Sequence, residues 1–177
     1  GSHLSISKGF EEAVKQAIDM EANTFQFFTR NPRGGRIKKL DLEDIKNADE
    51  LCKRYNFASL LAHAPYTYNF ASDSDKTWEF AKNKLRDDLD RLQYLNCCQY
   101  IVMHPGNHVK KGIEFGIERI AEGINQVLKG NENTMILLET MSGKGTEVGF
   151  TFEQLKAIID RIKYKDLIGV CFDTCHI

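Results

Sequence analysis

Short runs of apolar residues alternate along the whole chain with longer segments in which apolar residues recur every three or four positions. The short runs are typical of buried β-strands, and the longer segments are typical of amphipathic α-helices. We predict six strands, at residues 1–5, 24–28, 59–63, 100–104, 134–139 and 168–173. We predict five helices between them, at residues 9–20, 42–55, 75–95, 113–127 and 151–162, with Asp41 and Thr151 as N-caps of the second and fifth. The pattern indicates repeated strand–helix units.

Two of the predicted strands, around residues 101–103 and 136–138, are continuously apolar rather than alternating. Such strands are typical of a parallel sheet that is covered by helices on its faces. The alternatives are a doubly wound open sheet and a (β/α) barrel. No glycine-rich phosphate-binding motif follows the first strand, which argues against the nucleotide-binding forms of the open sheet. A complete (β/α)8 TIM barrel needs about 250 residues. We therefore expect an α/β chain with about the first six strands of a TIM barrel, as one partial-barrel domain over residues 1–177.

Composition narrows the class of protein further. The 177 residues include 25 acidic and 24 basic side chains, so the net charge of −1 excludes a globally basic nucleic-acid binder but not a local basic surface. No apolar run approaches the ~18 residues that span a bilayer. The five cysteines are odd in number and contain no C-x-x-C pair, which favours reduced thiols over a disulfide framework. We expect a cytoplasmic protein with no membrane partner.

Ionisable side chains stand where four predicted strands end. They are His63, His104, Glu139 and Asp173, and His176 follows one turn later. The carboxyl ends of barrel strands converge on the face where active sites are built. Imidazoles and carboxylates crowded on one face repel one another and lose hydration unless a cation lies between them. Each residue alone is more often an ordinary loop residue, but the set predicts a site for zinc, or less often iron, manganese or cobalt.

A basic loop follows the second predicted strand on the same face. Within ten residues that contain no acid it carries Arg30, Arg33, Arg36, Lys38 and Lys39. An isolated run of this kind is more often a solvated surface, but beside bound cations it would extend a positive face suited to phosphates. Tyr66, Tyr68 and Phe70 follow His63 in another loop and either stack on bases or serve as ordinary loop packing.

Six short motifs resemble the endonuclease IV family of apurinic/apyrimidinic (AP) endonucleases, in order from one end of the chain to the other. They are Gly1-Ser2-His3-Leu4-Ser5, Phe28-Thr29-Arg30-Asn31-Pro32-Arg33, His63-Ala64-Pro65-Tyr66, His104-Pro105-Gly106-Asn107-His108, Leu138-Glu139-Thr140 and Cys171-Phe172-Asp173-Thr174-Cys175-His176. The last motif is the most specific, and the His104-Pro105-Gly106 turn is next.

The resemblance implies a zinc-dependent TIM barrel that cuts the DNA backbone 5′ to an abasic site through a metal-activated hydroxide and leaves a 3′-hydroxyl. Family members use three zinc ions. By resemblance, His63 and His104 bind the first, and the catalytic Glu139 bridges the first and second. Asp173 binds the second and His176 the third. The family's remaining ligands come from a region that these 177 residues do not include, so only the first zinc has all its protein ligands here.

The resemblance also implies the partner, which is double-stranded DNA containing abasic sites, in base excision repair. The protein is expected at the nucleoid, or in the nucleus if its source is eukaryotic. Arg33 and Tyr66 match positions that enter the base stack where the abasic nucleotide is flipped out. Arg30, Asn31 and Arg36 lie in the same basic loop and are expected to contact the DNA. A missing base makes extrusion of the sugar easier, so selectivity needs no base readout.

Two alternatives from other classes stay open. The first is a xylose-isomerase-like, metal-dependent sugar isomerase or epimerase. Three histidines among five candidate ligands, and the basic loop, argue against it, because such enzymes favour oxygen-rich sites. The second is a non-catalytic DNA-binding fragment that cannot assemble the three-metal centre. Binding of an abasic duplex without nicking would favour the second alternative.

Overall fold

A computed structural model describes residues 2–32, 37 and 39–176. Five parallel strands form one sheet in chain order. They are β1 (Gln26–Phe28), β2 (Leu60–His63), β3 (Cys98–Met103), β4 (Met135–Glu139) and β5 (Ile168–Cys171). A doubly wound sheet reverses its strand order at a switch point, whereas here each strand pairs with the next along the chain. The predicted partial TIM barrel is confirmed.

The first of the six predicted strands is not formed as a strand in the part of the chain that is described. Residues 2–4 make only an isolated parallel bridge between His3 and Gln26. The N–H of Leu4 donates to the Gln26 carbonyl at 2.8 Å, and the Gln26 N–H donates to the Ser2 carbonyl at 2.9 Å. Leu4 is the only large aliphatic side chain in this run, so little burial is gained by extending the pairing.

Five α-helices connect and cover the strands, as predicted. They are α1 (Phe10–Asp19), α2 (Leu42–Arg54), α3 (Asp75–Leu92), α4 (Ile113–Val127) and α5 (Phe152–Asp160). The predicted caps are formed, because Asp41 accepts from the N–H groups of Glu43 and Asp44, and Thr151 accepts from that of Gln154. A short 3₁₀ turn, Lys165–Leu167, precedes β5. None of the described helices is both long and apolar enough to cross a membrane.

One row of side chains across the sheet belongs to the apolar core. Phe27, Ala62, Ile101 and Ile136 occupy the same register on β1 to β4 and are fully buried with the inner faces of the helices. Side chains alternate between the two faces of a strand. His63 is the next residue after Ala62 and therefore projects from the opposite face.

Candidate metal centre

The five ionisable residues predicted at the strand ends meet at one edge of the sheet. His63 and Glu139 are the last residues of β2 and β4, and His104 directly follows β3. Asp173 follows β5 by two residues, and His176 lies in the next turn, where its N–H donates to the Asp173 carbonyl at 3.2 Å. The parallel arrangement brings together residues that are far apart in the sequence.

Glu139 is the centre of this group and is only 4% exposed. Its Oε2 lies 3.1 Å from His63 Nε2 and 3.2 Å from His104 Nε2, whereas its Oε1 lies 3.2 Å from His176 Nδ1. Burial opposes ionisation of the carboxyl, but the nearby ring nitrogens of His104 and His63 outweigh burial and hold the pKa of Glu139 well below its usual value. The carboxylate is therefore an anion at neutral pH, with one oxygen facing each side of the cluster.

Two backbone carbonyls fix the orientation of two imidazoles. His63 Nδ1 lies 2.6 Å from the carbonyl oxygen of Ala64, and His176 Nδ1 lies 2.8 Å from that of Thr140. A carbonyl oxygen only accepts, so both Nδ1 atoms are the donating nitrogens. This leaves the Nε2 lone pair of each neutral ring available to a metal ion, which is the usual arrangement of a ligating histidine.

Thr140 and Cys175 fix the position of Asp173, which carries the second carboxylate of the group. The N–H of Asp173 donates to Thr140 Oγ1 at 2.9 Å, and the N–H of Cys175 donates to Asp173 Oδ1 at 2.8 Å. Asp173 Oδ2 remains 3.6 Å from His176 Nδ1. Thr140 thus connects the end of β4 to the turn that carries both Asp173 and His176.

The side chains fit metal ions at two positions. The donor atoms of His63, His104 and Glu139 all lie within 4.8 Å of one another, and so do those of Glu139, Asp173 and His176. Bonds of 2.0–2.1 Å in a tetrahedral zinc site place ligand atoms about 3.3 Å apart. The distances of 3.1 and 3.2 Å from Glu139 Oε2 to the two Nε2 atoms are close to that spacing. His63 donates from Nδ1 to the Ala64 carbonyl, so its neutral ring would point the Nε2 lone pair at the carboxylate, and a cation between the two atoms would relieve this contact.

The ring of Tyr66 lies next to the donor group formed by His63, His104 and Glu139. Its ring centroid lies 5.1 Å from that of His104, 5.6 Å from that of His63 and 5.2 Å from that of Phe28. The residue is nevertheless 57% exposed. A large ring thus stands at the rim of the site, whereas Tyr68 and Phe70 from the same loop are buried and serve as packing.

The residues predicted to contact DNA from the basic loop are placed differently. Arg33 and Arg36 lie outside the described residues, so their prediction stays open, and Asn31 is exposed beside them. Arg30 requires a correction. Its side chain is only 2% exposed, with Nη2 lying 2.5 Å from Asp88 Oδ1 and 2.7 Å from Asp87 Oδ2. The predicted phosphate contact is replaced by a buried ion pair, because α3 supplies carboxylates that no local sequence pattern reveals.

Two residues near the site escaped the sequence reasoning. Thr140 stands out in the sequence only as part of the Leu138-Glu139-Thr140 motif, although its hydroxyl and carbonyl both position ligand candidates. For Asp88, the sequence does contain a pattern that indicates a buried role. Asp88 lies on the apolar stripe of α3 with Leu85, Leu89 and Leu92, where a charged residue needs a buried partner.

Comparison with known proteins agrees with this arrangement. A family model described as a xylose isomerase-like TIM barrel matches residues 14–177, and the chain belongs to that family. Within it, the predicted resemblance to endonuclease IV is confirmed. The chain is 54% identical over all 177 residues to "Probable endonuclease 4" of Alkaliphilus oremlandii and 51% identical to the protein of the same name from Heliobacterium modesticaldum.

Solved structures show the same relationship. The crystal structure of endonuclease IV from Thermus thermophilus matches 99% of this chain with a TM-score of 0.84 and 29% sequence identity. A D-psicose 3-epimerase matches with a TM-score of 0.75 at 14% identity, which is a likeness of fold alone. The chain spans 63% and 64% of the length of the two curated relatives and 62% of the Thermus thermophilus chain.

Proposed function

We propose that the chain belongs to a zinc-dependent DNA repair endonuclease that hydrolyses the phosphodiester 5′ to an abasic site and leaves a 3′-hydroxyl. The observation that carries the proposal is Glu139, whose two oxygens each face a different group of donor atoms. The identity of about 50% to proteins named "Probable endonuclease 4" supports the same activity.

The proposed roles of the side chains follow from their positions. His63, His104 and Glu139 would hold one zinc ion, and Asp173 and His176 would contribute with Glu139 to a second position on its far side. When bound, zinc lowers the pKa of water to near neutrality and withdraws charge from a phosphate oxygen.

Tyr66 has the proposed role of recognising the lesion. Its exposed ring stands over His63 and His104, where it can occupy the space beside a deoxyribose that lacks its base. Stacking on an aromatic side chain is worth about 1–3 kcal/mol per base, so the ring would also compensate for the stacking lost at the lesion. Arg33 and Arg36 are proposed to add charge contacts to the phosphates.

The test compares zinc-loaded and chelator-treated chain on two duplexes that differ only in one abasic-site analogue. We expect tighter binding to the abasic duplex that depends on zinc, and nicking on the 5′ side of the lesion by the longer protein that supplies the remaining ligands. Tyr66→Ala should reduce the preference for the abasic duplex without changing bound zinc. Equal affinity for both duplexes would refute the proposal. Binding without nicking would support the DNA-binding fragment, and turnover of a ketose would support the sugar isomerase.

A further inference from the structure

Asp88 of α3 is a buried carboxylate that accepts hydrogen bonds from two different loops. The residue is 1% exposed. Its Oδ1 accepts from Arg30 Nε at 3.0 Å and Nη2 at 2.5 Å, and its Oδ2 accepts from the hydroxyls of Thr29 at 2.9 Å and Tyr68 at 2.7 Å. A carboxylate with this many donors is satisfied without water.

The two loops are the ones that follow β1 and β2 on the side of the metal centre. Thr29 directly follows β1, and Arg30 and Asn31 begin the basic loop. Tyr68 closes the turn that carries Tyr66, with its N–H donating to the Pro65 carbonyl at 3.2 Å. Asp88 therefore ties the base of both segments to the same helix, and the ring of Tyr68 packs edge-on against Phe80 of that helix.

A role in charge neutralisation alone does not account for this geometry. Asp87 also pairs with Arg30 at 2.7 Å, and its side chain is 49% exposed, so the guanidinium already has a carboxylate with a low desolvation cost. Asp88 is fully desolvated instead and uses its second oxygen for two neutral hydroxyls from different loops. Burial raises the pKa of Asp88 despite the opposing charge of Arg30. The protein tolerates this unfavourable burial at a point where two loops meet.

We propose that Asp88 is a positioning residue that sets the distance between residues 29–32 and Tyr66, and thereby the selectivity for an abasic nucleotide bound beside Tyr66. This inference rests on the proposed function for its substrate. Asp88 touches neither DNA nor metal ligands in the arrangement described; it acts through Thr29, Arg30 and Tyr68. A displacement of about 1 Å in either loop is enough to misplace groups that must act together.

The experiment uses variants that remove single hydrogen bonds and keep the side-chain volume. Tyr68→Phe and Thr29→Val each remove one hydroxyl from Asp88. Thr24→Val is the matched control, because it also removes one hydroxyl that donates a hydrogen bond, here to the Ser59 carbonyl at 2.8 Å. Thr24 lies just before β1, at the amino-terminal ends of the strands and away from the metal centre. Asp88→Asn is a stronger variant whose folding is checked by circular dichroism. Hydrogen exchange is measured in residues 29–32 and 65–68, together with zinc affinity and affinity for abasic and intact duplexes.

We expect faster exchange in residues 65–68 for Tyr68→Phe, in residues 29–32 for Thr29→Val, and in both segments for Asp88→Asn. The preference for the abasic duplex should fall about five- to tenfold in the two hydroxyl variants, with zinc affinity unchanged and Thr24→Val at the wild-type value. A general loss of stability would instead change hydrogen exchange, the preference for the abasic duplex and zinc affinity together. Unchanged exchange in both segments, or unchanged preference for the abasic duplex, would overturn the role of Asp88. If the wild-type chain itself does not distinguish the duplexes, the proposed function fails, and the exchange data still decide whether Asp88 fixes the loops.

Discussion

His63 Nε2 lies 3.1 Å from Glu139 Oε2, although the two residues are 76 positions apart and belong to strands that do not touch. Their side chains meet because β2 and β4 flank β3 and all three parallel strands end at the same carboxyl-terminal edge of the sheet. His63 already donates from Nδ1 to the Ala64 carbonyl, so a neutral ring turns its Nε2 lone pair toward an anionic oxygen. A cation between the two atoms makes this contact favourable.

Replacing the shared carboxylate should affect metal binding more than replacing one histidine. We expect Glu139→Gln to weaken zinc binding at both donor groups by at least about a hundredfold, because the amide keeps the shape but loses the charge. His63→Ala should impair only the group that contains His104. Equilibrium dialysis with metal quantification measures the stoichiometry and affinity.

His108 supplies the control for that measurement. Its Nδ1 accepts from the Gly112 N–H at 3.0 Å, and it belongs to neither donor group. His108→Ala should therefore retain the wild-type number of bound ions. Equal zinc binding by Glu139→Gln and the wild type would contradict the assignment of the metal centre.

Removal of metal should lower the thermal stability of the chain. A ligand present at a hundred times its Kd stabilises the folded state by about 2.7 kcal/mol, which for a domain of this size corresponds to about 5–10 °C in Tm. Thermal unfolding with zinc and with a chelator measures the difference. Glu139→Gln should show little or no difference between the two conditions, and a full zinc-dependent shift in that variant would locate the binding elsewhere.

The turn after His104 should not tolerate a side chain at Gly106. This residue has φ +127°, and a Cβ there would lie 2.4 Å from Asn69 Oδ1 and 2.9 Å from the Ala71 nitrogen. Asn69 Oδ1 already accepts from Ala71 and Asn107, so it cannot move without breaking both bonds. We expect Gly106→Ala to lower the free energy of unfolding by about 2–4 kcal/mol from strain and overpacking together.

Gly112 gives a comparison in the same loop. It also has a positive φ, +96°, but a Cβ there meets nothing within 4 Å. Gly112→Ala should therefore cost only the backbone strain, about 1–3 kcal/mol, and less than Gly106→Ala. Urea denaturation of both variants measures the difference, and equal destabilisation would mean that the steric contact at Gly106 is unimportant.

Glu132 should contribute stability that disappears in acid. Burial raises the pKa of this carboxyl, but hydrogen bonds from the Lys129 N–H, Arg86 and the Gly130 N–H outweigh burial, and the pKa in the folded state is lowered. A lowered pKa in the folded state means that the stabilisation is fully present above the pKa of the unfolded chain. It is lost as the pH falls through the pKa of the folded state.

We expect Glu132→Gln to lower the free energy of unfolding by about 2 kcal/mol at pH 7 and by progressively less as the pH falls below about 4.5. Denaturant unfolding between pH 3 and pH 7 measures this. Glu114→Gln is the control, because the Glu114 side chain is mostly exposed and its ion pair with Arg161 should contribute less than about 0.5 kcal/mol. A difference for Glu132→Gln that does not change with pH would contradict the assignment.

The sequence predicted those features that depend on local periodicity and on strand ends. The five helices follow from their apolar stripes, and the cap at Asp41 follows from its position before Leu42. His63, His104 and Glu139 were found because parallel strands bring their carboxyl ends to one edge. These inferences need no knowledge of distant contacts.

The features that the sequence did not predict depend on such contacts. Whether residues 1–5 extend into a strand depends on how much the neighbouring β1, only three residues long, can pair. Arg30 looks like any exposed arginine until Asp88, 58 positions later, is placed beside it. The support that Thr140 gives to Asp173 likewise appears only when β4 and β5 are adjacent.

The sharing of Glu139 has a mechanical consequence. Its two oxygens belong to one rigid planar carboxylate, so a rotation that brings Oε2 closer to His63 and His104 also moves Oε1 relative to His176. An ion of larger radius at one position would therefore change the geometry at the other. Replacing one metal ion by another at either position should therefore change the ligand geometry of both positions.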